Sequence, residues 1–252
     1  MSRTHALAAT EDRTLVWDGC LNVRDLGGLP TASGRPTARG AIVRADNLDR
    51  LTAEGRETLL EYGVRTVVDL RDASEHKPLL PLPEGVDLVR VPLDELAGEA
   101  WWEAYGRLDG TPLAFGPYLE HCPHAAAALV SAMAGARPGP LVVHCGAGRD
   151  RTGLAALLLL SLAGVTPAAI VEDYLLSDPN VRPLYGMLRL QDPYRRIDAV
   201  MAEAGTGAGD VVAGLLDGFD AADYLLAAGA TAAELAAVRE RLLPMMPMPP
   251  VG

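Results

Sequence analysis

The ten residues His144-Cys145-Gly146-Ala147-Gly148-Arg149-Asp150-Arg151-Thr152-Gly153 decide the reading of this chain. Just before them, Leu141-Val142-Val143 is a short apolar run of strand character, and from Arg151 onward the pattern is that of a strongly apolar helix. A cysteine at a strand end, five loop residues and an arginine opening a helix make one unit. Successive N–H groups in so short a loop can turn inward as an anion-binding nest. Gly146 and Gly148 supply backbone freedom and room for a ligand. The first turn of the following helix adds unpaired donors and the positive end of its dipole. Arg151 can offer two parallel N–H donors to a tetrahedral oxyanion, and Gly146, Ala147, Gly148, Arg149 and Thr152 are the remaining candidates for contact with it.

Outward from this loop, strands and helices alternate. Ala41–Arg44, Val64–Leu70 and Val86–Val91 have strand character, and turn signals stand at Gly27-Gly28 and Ser33-Gly34. Thr52 is placed to cap a helix reaching about Tyr62, with Gly63 as its stop. Helical pattern dominates from about Pro117 to Ala136, resumes at Thr166-Pro167 as far as about Ser177, and returns behind the Thr231–Glu234 capping box until about Leu243. This order predicts an α/β fold with a central, largely parallel sheet flanked by helices and an extra C-terminal helical region. Ligands in such sheets sit beyond the carboxyl ends of the strands, where His144-Cys145 falls. One domain is expected over residues 13–243, with flexible tails at 1–12 and 244–252. Residues 185–213 and 97–118 are the two lid candidates, and the second brings Trp101, Trp102 and Tyr105.

The chain has 252 residues and a net charge of −11, so a broad polyanion-binding surface, and with it nucleic acid, is excluded as a partner. Any anion must be captured by a few aimed groups. Of the 22 basic residues only Lys77 is lysine. Three cysteines without paired spacing give no disulfide framework and suggest a reducing, cytoplasmic setting. The most apolar stretch, Leu154–Ala163, is too short to span a bilayer, and the first residues lack the apolar core of a signal peptide.

The positive surroundings of Cys145 would lower a thiol pKa from about 8.5 toward roughly 3.5–7.5. A thiolate at the floor of a phosphate-shaped cradle is an in-line nucleophile that forms a phosphocysteine. The loop donors and Arg151 would then stabilise the equatorial oxygens, with no metal or other cofactor needed.

Cys-x5-Arg-Thr resembles the signature of the cysteine-dependent tyrosine phosphatase superfamily. More narrowly, the chain is similar to the atypical bacterial tyrosine phosphatases that include lipid-active members (tyrosine phosphatase family 3). Asn22-Val-Arg-Asp-Leu-Gly-Gly28, Asp69-Leu-Arg71 with Glu75, and Asp173-Tyr-Leu-Leu-Ser177 match further segments in order over about residues 14–180. The resemblance implies a phosphatase acting on phosphotyrosine, with phosphoserine, phosphothreonine and phosphoinositides as further substrates and inorganic phosphate as product. It also implies Asp150, inside the loop, as general acid, with Asp69 and Asp94 in reserve. One position departs: Arg149 stands where the family carries lysine, which is associated with phosphoinositide use.

His144, Asp69, Arg71, Arg24 and Asp25 are expected behind the loop, Arg24 and Asp25 as a mutual salt bridge. His121-Cys122-Pro-His124 invites a zinc reading, but three ligands on one helical stretch seldom close a tetrahedron. Cys20 and Cys122 read as inert thiols, with a protective disulfide to Cys145 as the alternative. The competing functions are an arsenate reductase, which needs resolving cysteines, and a non-catalytic phosphopeptide-binding module.

Overall fold

A computed structural model describes residues 13–78, 80–187 and 191–243, so the expectations for both tails lie outside the described residues. Five strands form one sheet in the order β1-β2-β5-β3-β4, where β1 is Arg24–Asp25, β2 Ile42–Ala45, β3 Thr66–Asp69, β4 Asp87–Arg90 and β5 Leu141–His144. β5 pairs in parallel with β2 on one side and β3 on the other, β3 pairs in parallel with β4, and β1 runs antiparallel to β2. The expected largely parallel sheet is the one observed.

Register explains where the site falls. Ala45, His144 and Asp69 lie opposite one another, so three neighbouring strands end level and discharge their following loops at one edge. Side chains alternate across the sheet. Val43, Ala45, Val67 and Val142 pack on one face with Trp17, Leu51 and Leu59, the last from helix α1 (Ala53–Glu61). Ile42, Val68, Leu141 and Val143 pack on the other. There they meet α2 (Leu93–Ala97), α3 (Glu99–Tyr105), α4 (Phe115–His121), α5 (Pro123–Gly135), α6 (Arg151–Leu162) and α7 (Pro167–Leu175). After α7 come α8 (Ser177–Met187), α9 (Tyr194–Glu203), α10 (Ala208–Leu216), α11 (Ala221–Ala227) and α12 (Ala232–Leu242), the extra C-terminal region. Among the described residues no single helix is long and apolar enough to cross a membrane.

Local signals set the boundaries. The Thr52 hydroxyl accepts from the Gly55 N–H at 3.2 Å, and Gly63 turns the chain at φ +88°. Thr231 and Glu234 form the reciprocal box that opens α12. The single helical pattern expected over 117–136 is divided in two. Pro123 has no N–H to continue the ladder, and Cys122 before it leaves the helical region at φ −124°, ψ 45°. α6 is buried on nearly every side, as an apolar helix behind a sheet must be.

One charged cluster lies inside this frame. Asp173 on α7 pairs with Arg13 at 2.9 Å, Arg24 at 3.0 Å and Arg44 at 2.6 Å, and all four side chains are buried. The Ser177 hydroxyl, at the start of α8, accepts from Arg24 at 2.9 Å and Arg44 at 3.1 Å. The cations around Asp173 hold its carboxyl far below the usual carboxylate range against the cost of burial. Burial, with Arg44 alongside, pushes Arg24 down to about 9. Asp173→Asn leaves three buried guanidinium groups without an anion and is expected to cost about 3–5 kcal/mol of unfolding free energy, read by urea denaturation. Because the folded-state pKa lies below the unfolded value of about 3.9, this contribution is complete above about pH 4 and declines below it. The wild-type-minus-variant difference should therefore shrink as the pH falls below about 4.

Candidate active site

The chain leaves β5 at His144, turns through residues 145–150 and enters α6 at Arg151. The loop keeps its shape because its carbonyls are held from outside. Gly146 O accepts from the Asn47 N–H at 3.1 Å. The Asn22 side-chain amide donates to Ala147 O and Gly148 O, each at 3.1 Å, and Arg44 Nη2 donates to Gly148 O at 2.8 Å. With three successive carbonyls turned out, the N–H groups face the opposite way. Gly148 N–H donates to Cys145 Sγ at 3.3 Å, and the N–H groups of Gly146, Ala147, Arg149 and Asp150 meet no acceptor among the described residues. Gly148 is the glycine this path requires. It sits at φ +67°, and a Cβ there would lie 2.5 Å from Ala45 O. Gly146 is different: a Cβ there would meet only Arg151 Nη2 and Glu75 Oε2, at 3.6 Å, so its smallness keeps the mouth open.

Above the loop lies a cavity of about 430 Å3 that contains Cys145, Gly146, Ala147, Asp150 and Arg151 in its lining. Cys145 is nearly buried at the floor. Glu75 grips Arg151 end-on, Oε1 to Nη1 at 2.5 Å and Oε2 to Nη2 at 2.9 Å, leaving the Nε edge free for an oxyanion. Asp94 Oδ2 stands 2.9 Å from Nη1 as a second anion. Among Cys145's neighbours, two carboxyls are shifted upward. Burial raises Asp150, whose Oδ1 is buried without a hydrogen-bond partner, and burial pushes Asp94 up to about 6 despite Arg151 beside it. Trp102, Tyr185 and Tyr194 form the aromatic part of the wall. Trp101 is in the core instead, and Tyr105 stacks on His121, so one of the three aromatics of the 97–118 segment reaches the cavity.

The remaining residues singled out from sequence are placed as follows. Arg24 and Asp25 do not pair with each other, because successive strand residues point to opposite faces. Arg24 binds Asp173 and the Asn22 side-chain oxygen, the latter at 2.6 Å. Asp25 accepts from the N–H groups of Gly27 and Gly40 and from the Tyr62 hydroxyl, at 2.7–2.8 Å. Asp69 and Arg71 do pair, and Arg71 continues to Asn47 Oδ1 at 2.7 Å and to Asp49. Since Asn47 holds Gly146 O, this chain supports the loop from one side. His144 is buried 3.5 Å from Asp69, and burial pushes it down to about 4, so the imidazole is neutral at physiological pH. Arg149 lines the cavity, but its guanidinium is engaged by Gly110 O at 2.8 Å and Asp178 at 3.2 Å. The Thr152 hydroxyl is buried without a partner.

His121, Cys122 and His124 do not converge. His121 meets Tyr105, His124 meets Leu96 O, and Cys122 points at Ala97 O. All three cysteines are free. Burial raises the Cys20 and Cys122 thiols, which keeps both protonated and poorly suited to the resolving role an arsenate reductase demands. Asn22, Glu75 and Asp173 were visible in sequence only as members of ordered segments, and Asn47 was not singled out at all. Their partners lie from 76 to 149 residues away for the contacts with Arg151, Gly148 and Arg24.

Comparison with known proteins follows the same lines. The sequence profile of the tyrosine phosphatase family matches residues 15–244. A Cupriavidus necator protein that bears a tyrosine-protein phosphatase name is 32% identical over 187 residues, covering 69% of this chain and 66% of its own length. A tyrosine-protein phosphatase of Nostoc commune is 34% identical over 144 residues, 54% of this chain and 48% of the relative. A triple specificity protein phosphatase of Mycobacterium tuberculosis is 31% identical over 198 residues, 66% and 70% of the two lengths. The chain thus spans between about half and 70% of these relatives. With that profile matched over residues 15–244, the chain belongs to the tyrosine phosphatase family.

Proposed function

We propose that the protein is a protein tyrosine phosphatase that hydrolyses phosphate monoesters through a phosphocysteine, with Cys145, Arg151 and Asp150 as its catalytic residues. The observation that carries this is the shared cavity. Cys145, the loop residues whose amides are unpaired, and Arg151 all line one space at the carboxyl end of the sheet. The thiolate attacks phosphorus and the bond to the leaving oxygen breaks. That oxygen takes the proton of Asp150, whose raised pKa keeps the acid form available. Water then attacks the phosphocysteine and gives its proton to Asp150, and sulfur departs as inorganic phosphate forms. Loop amides, the N-terminus of α6 and Arg151 face the charge that gathers on the equatorial oxygens.

The aromatic wall of Trp102, Tyr185 and Tyr194 suits a phosphoaryl group. Two further cations in the cavity lining, Arg50 and Arg196, are already paired with Asp46 and Asp109. That disfavours a multiply phosphorylated lipid headgroup and supports phosphotyrosine as the leading substrate, with phosphoserine and phosphothreonine less favoured.

Phosphate release from p-nitrophenyl phosphate in the presence of a chelator should be abolished by Cys145→Ser; activity that survived this substitution would refute the assignment. Asp150→Asn should slow phenyl phosphate or phosphotyrosine by about 10²–10⁴-fold while changing p-nitrophenyl phosphate far less, as expected for loss of a general acid. Equal losses on both would move the acid role to another group. Because the Asp150 pKa is raised, the rate on poor leaving groups should fall as pH rises through it, and Asp150→Asn should remove that limb. Gly148→Ala forces a Cβ into Ala45 O and should reduce kcat/KM by about 10²-fold or more by displacing the loop, whereas Gly146→Ala should be milder.

A further inference from the structure

Arg151 faces two anions before any substrate arrives, and the two are held unequally. Glu75 makes two aligned hydrogen bonds to the guanidinium and a third to the Asp72 N–H at 3.1 Å. Asp94 has a single close contact with Arg151, an ion pair at 2.9 Å without an aligned N–H. One guanidinium against two carboxylates leaves this part of the cavity at −1, and a phosphate ester brings two more negative charges. Either the ester enters against that charge, or one carboxylate gives way. Asp94 is the one with least to lose.

Resting on the phosphatase reading above, we propose that Asp94 takes up a proton from solvent as the dianionic ester binds, and so releases Arg151 from an ion pair to the phosphate. Asp94 is then a positioning residue that acts through Arg151, distinct from Asp150, which serves the leaving group. The groups that face Asp94 agree with this. Asp72 and Glu75 come from the turn after β3, Asp109 from the loop after α3, Tyr118 from α4, and Arg151 from α6. Three of these are further carboxylates and one is a phenol, so only Arg151 favours the ionised form. The two carboxyls on Arg151 are displaced in opposite directions, Asp94 upward and Glu75 downward. The proton is taken from a buffer acid, no bond other than O–H is formed, and its uptake reverses when phosphate leaves.

The test uses sulfate, a dianion that does not titrate in the working range, and the full chain carrying Cys145→Ser so that the thiol does not contribute. Calorimetric titration in two buffers of different ionisation enthalpy counts the protons taken up per sulfate bound. At pH 7 the expected uptake is between about one half and one proton, with affinity falling up to about tenfold per pH unit as pH rises above 6. Adding Asp94→Asn should abolish both the uptake and that slope, while adding Asp150→Asn should leave them. Binding without uptake, or uptake that vanishes with Asp150→Asn and persists with Asp94→Asn, overturns the proposal while leaving an oxyanion site. Absence of sulfate binding in the Cys145→Ser protein counts against the phosphate site itself. Should Asp94→Asn fail to fold, the slope in the Cys145→Ser protein alone decides: a flat pH dependence overturns the proposal, and a slope supports it when Asp150→Asn leaves it intact.

Discussion

Everything at the site depends on which way three peptide groups face. A loop between a strand and a helix has no intrinsic reason to present its N–H groups to the interior of the curve. Here the carbonyls of Gly146, Ala147 and Gly148 are bonded on the outside, to Asn47, Asn22 and Arg44. Asn22 and Arg44 are in turn fixed by Arg24, Asp173 and Ser177. A carboxylate on α7 thereby sets the orientation of amides more than twenty residues earlier in the chain. The energetic basis is the cost of burying ions without partners, which makes any other arrangement of this cluster unfavourable.

Charge is distributed in two tiers around the loop. Behind it, Arg13, Arg24 and Arg44 surround one aspartate, an excess of positive charge among buried side chains. In front, Glu75 and Asp94 balance Arg151, with Asp72 and Asp109 nearby. The same division suits a chain whose net charge of −11 gives no general attraction for phosphates.

The sequence was most readable where one local cause acts alone. Thr52, Gly63 and the Thr231–Glu234 box each mark a helix boundary through contacts within a few residues, and they appear where expected. The path of the loop from β5 into α6 was equally plain, because Cys145, Gly148 and Arg151 are spaced by the geometry of a single turn. Long-range pairings were not readable. Nothing at Arg24 announces Asp173 rather than its neighbour Asp25, and the choice follows from strand pleating together with where α7 happens to end. Arg149 has partners of the same long-range kind. Its place in the loop suggested contact with substrate, but Gly110, Asp178 and the Tyr194 ring, to which the guanidinium comes within 5.4 Å, already engage it.

The helix α8 begins at Ser177, inside the Arg24–Arg44 cluster, and carries Leu184 and Tyr185 to the cavity wall about two turns later. A single rod is therefore clamped at one end to the machinery and presents its other end to whatever is bound. For an engineer this makes 184 and 185 the natural places to diversify the cavity wall, since repacking there leaves the buried ion cluster, and hence the shape of the loop it supports, untouched.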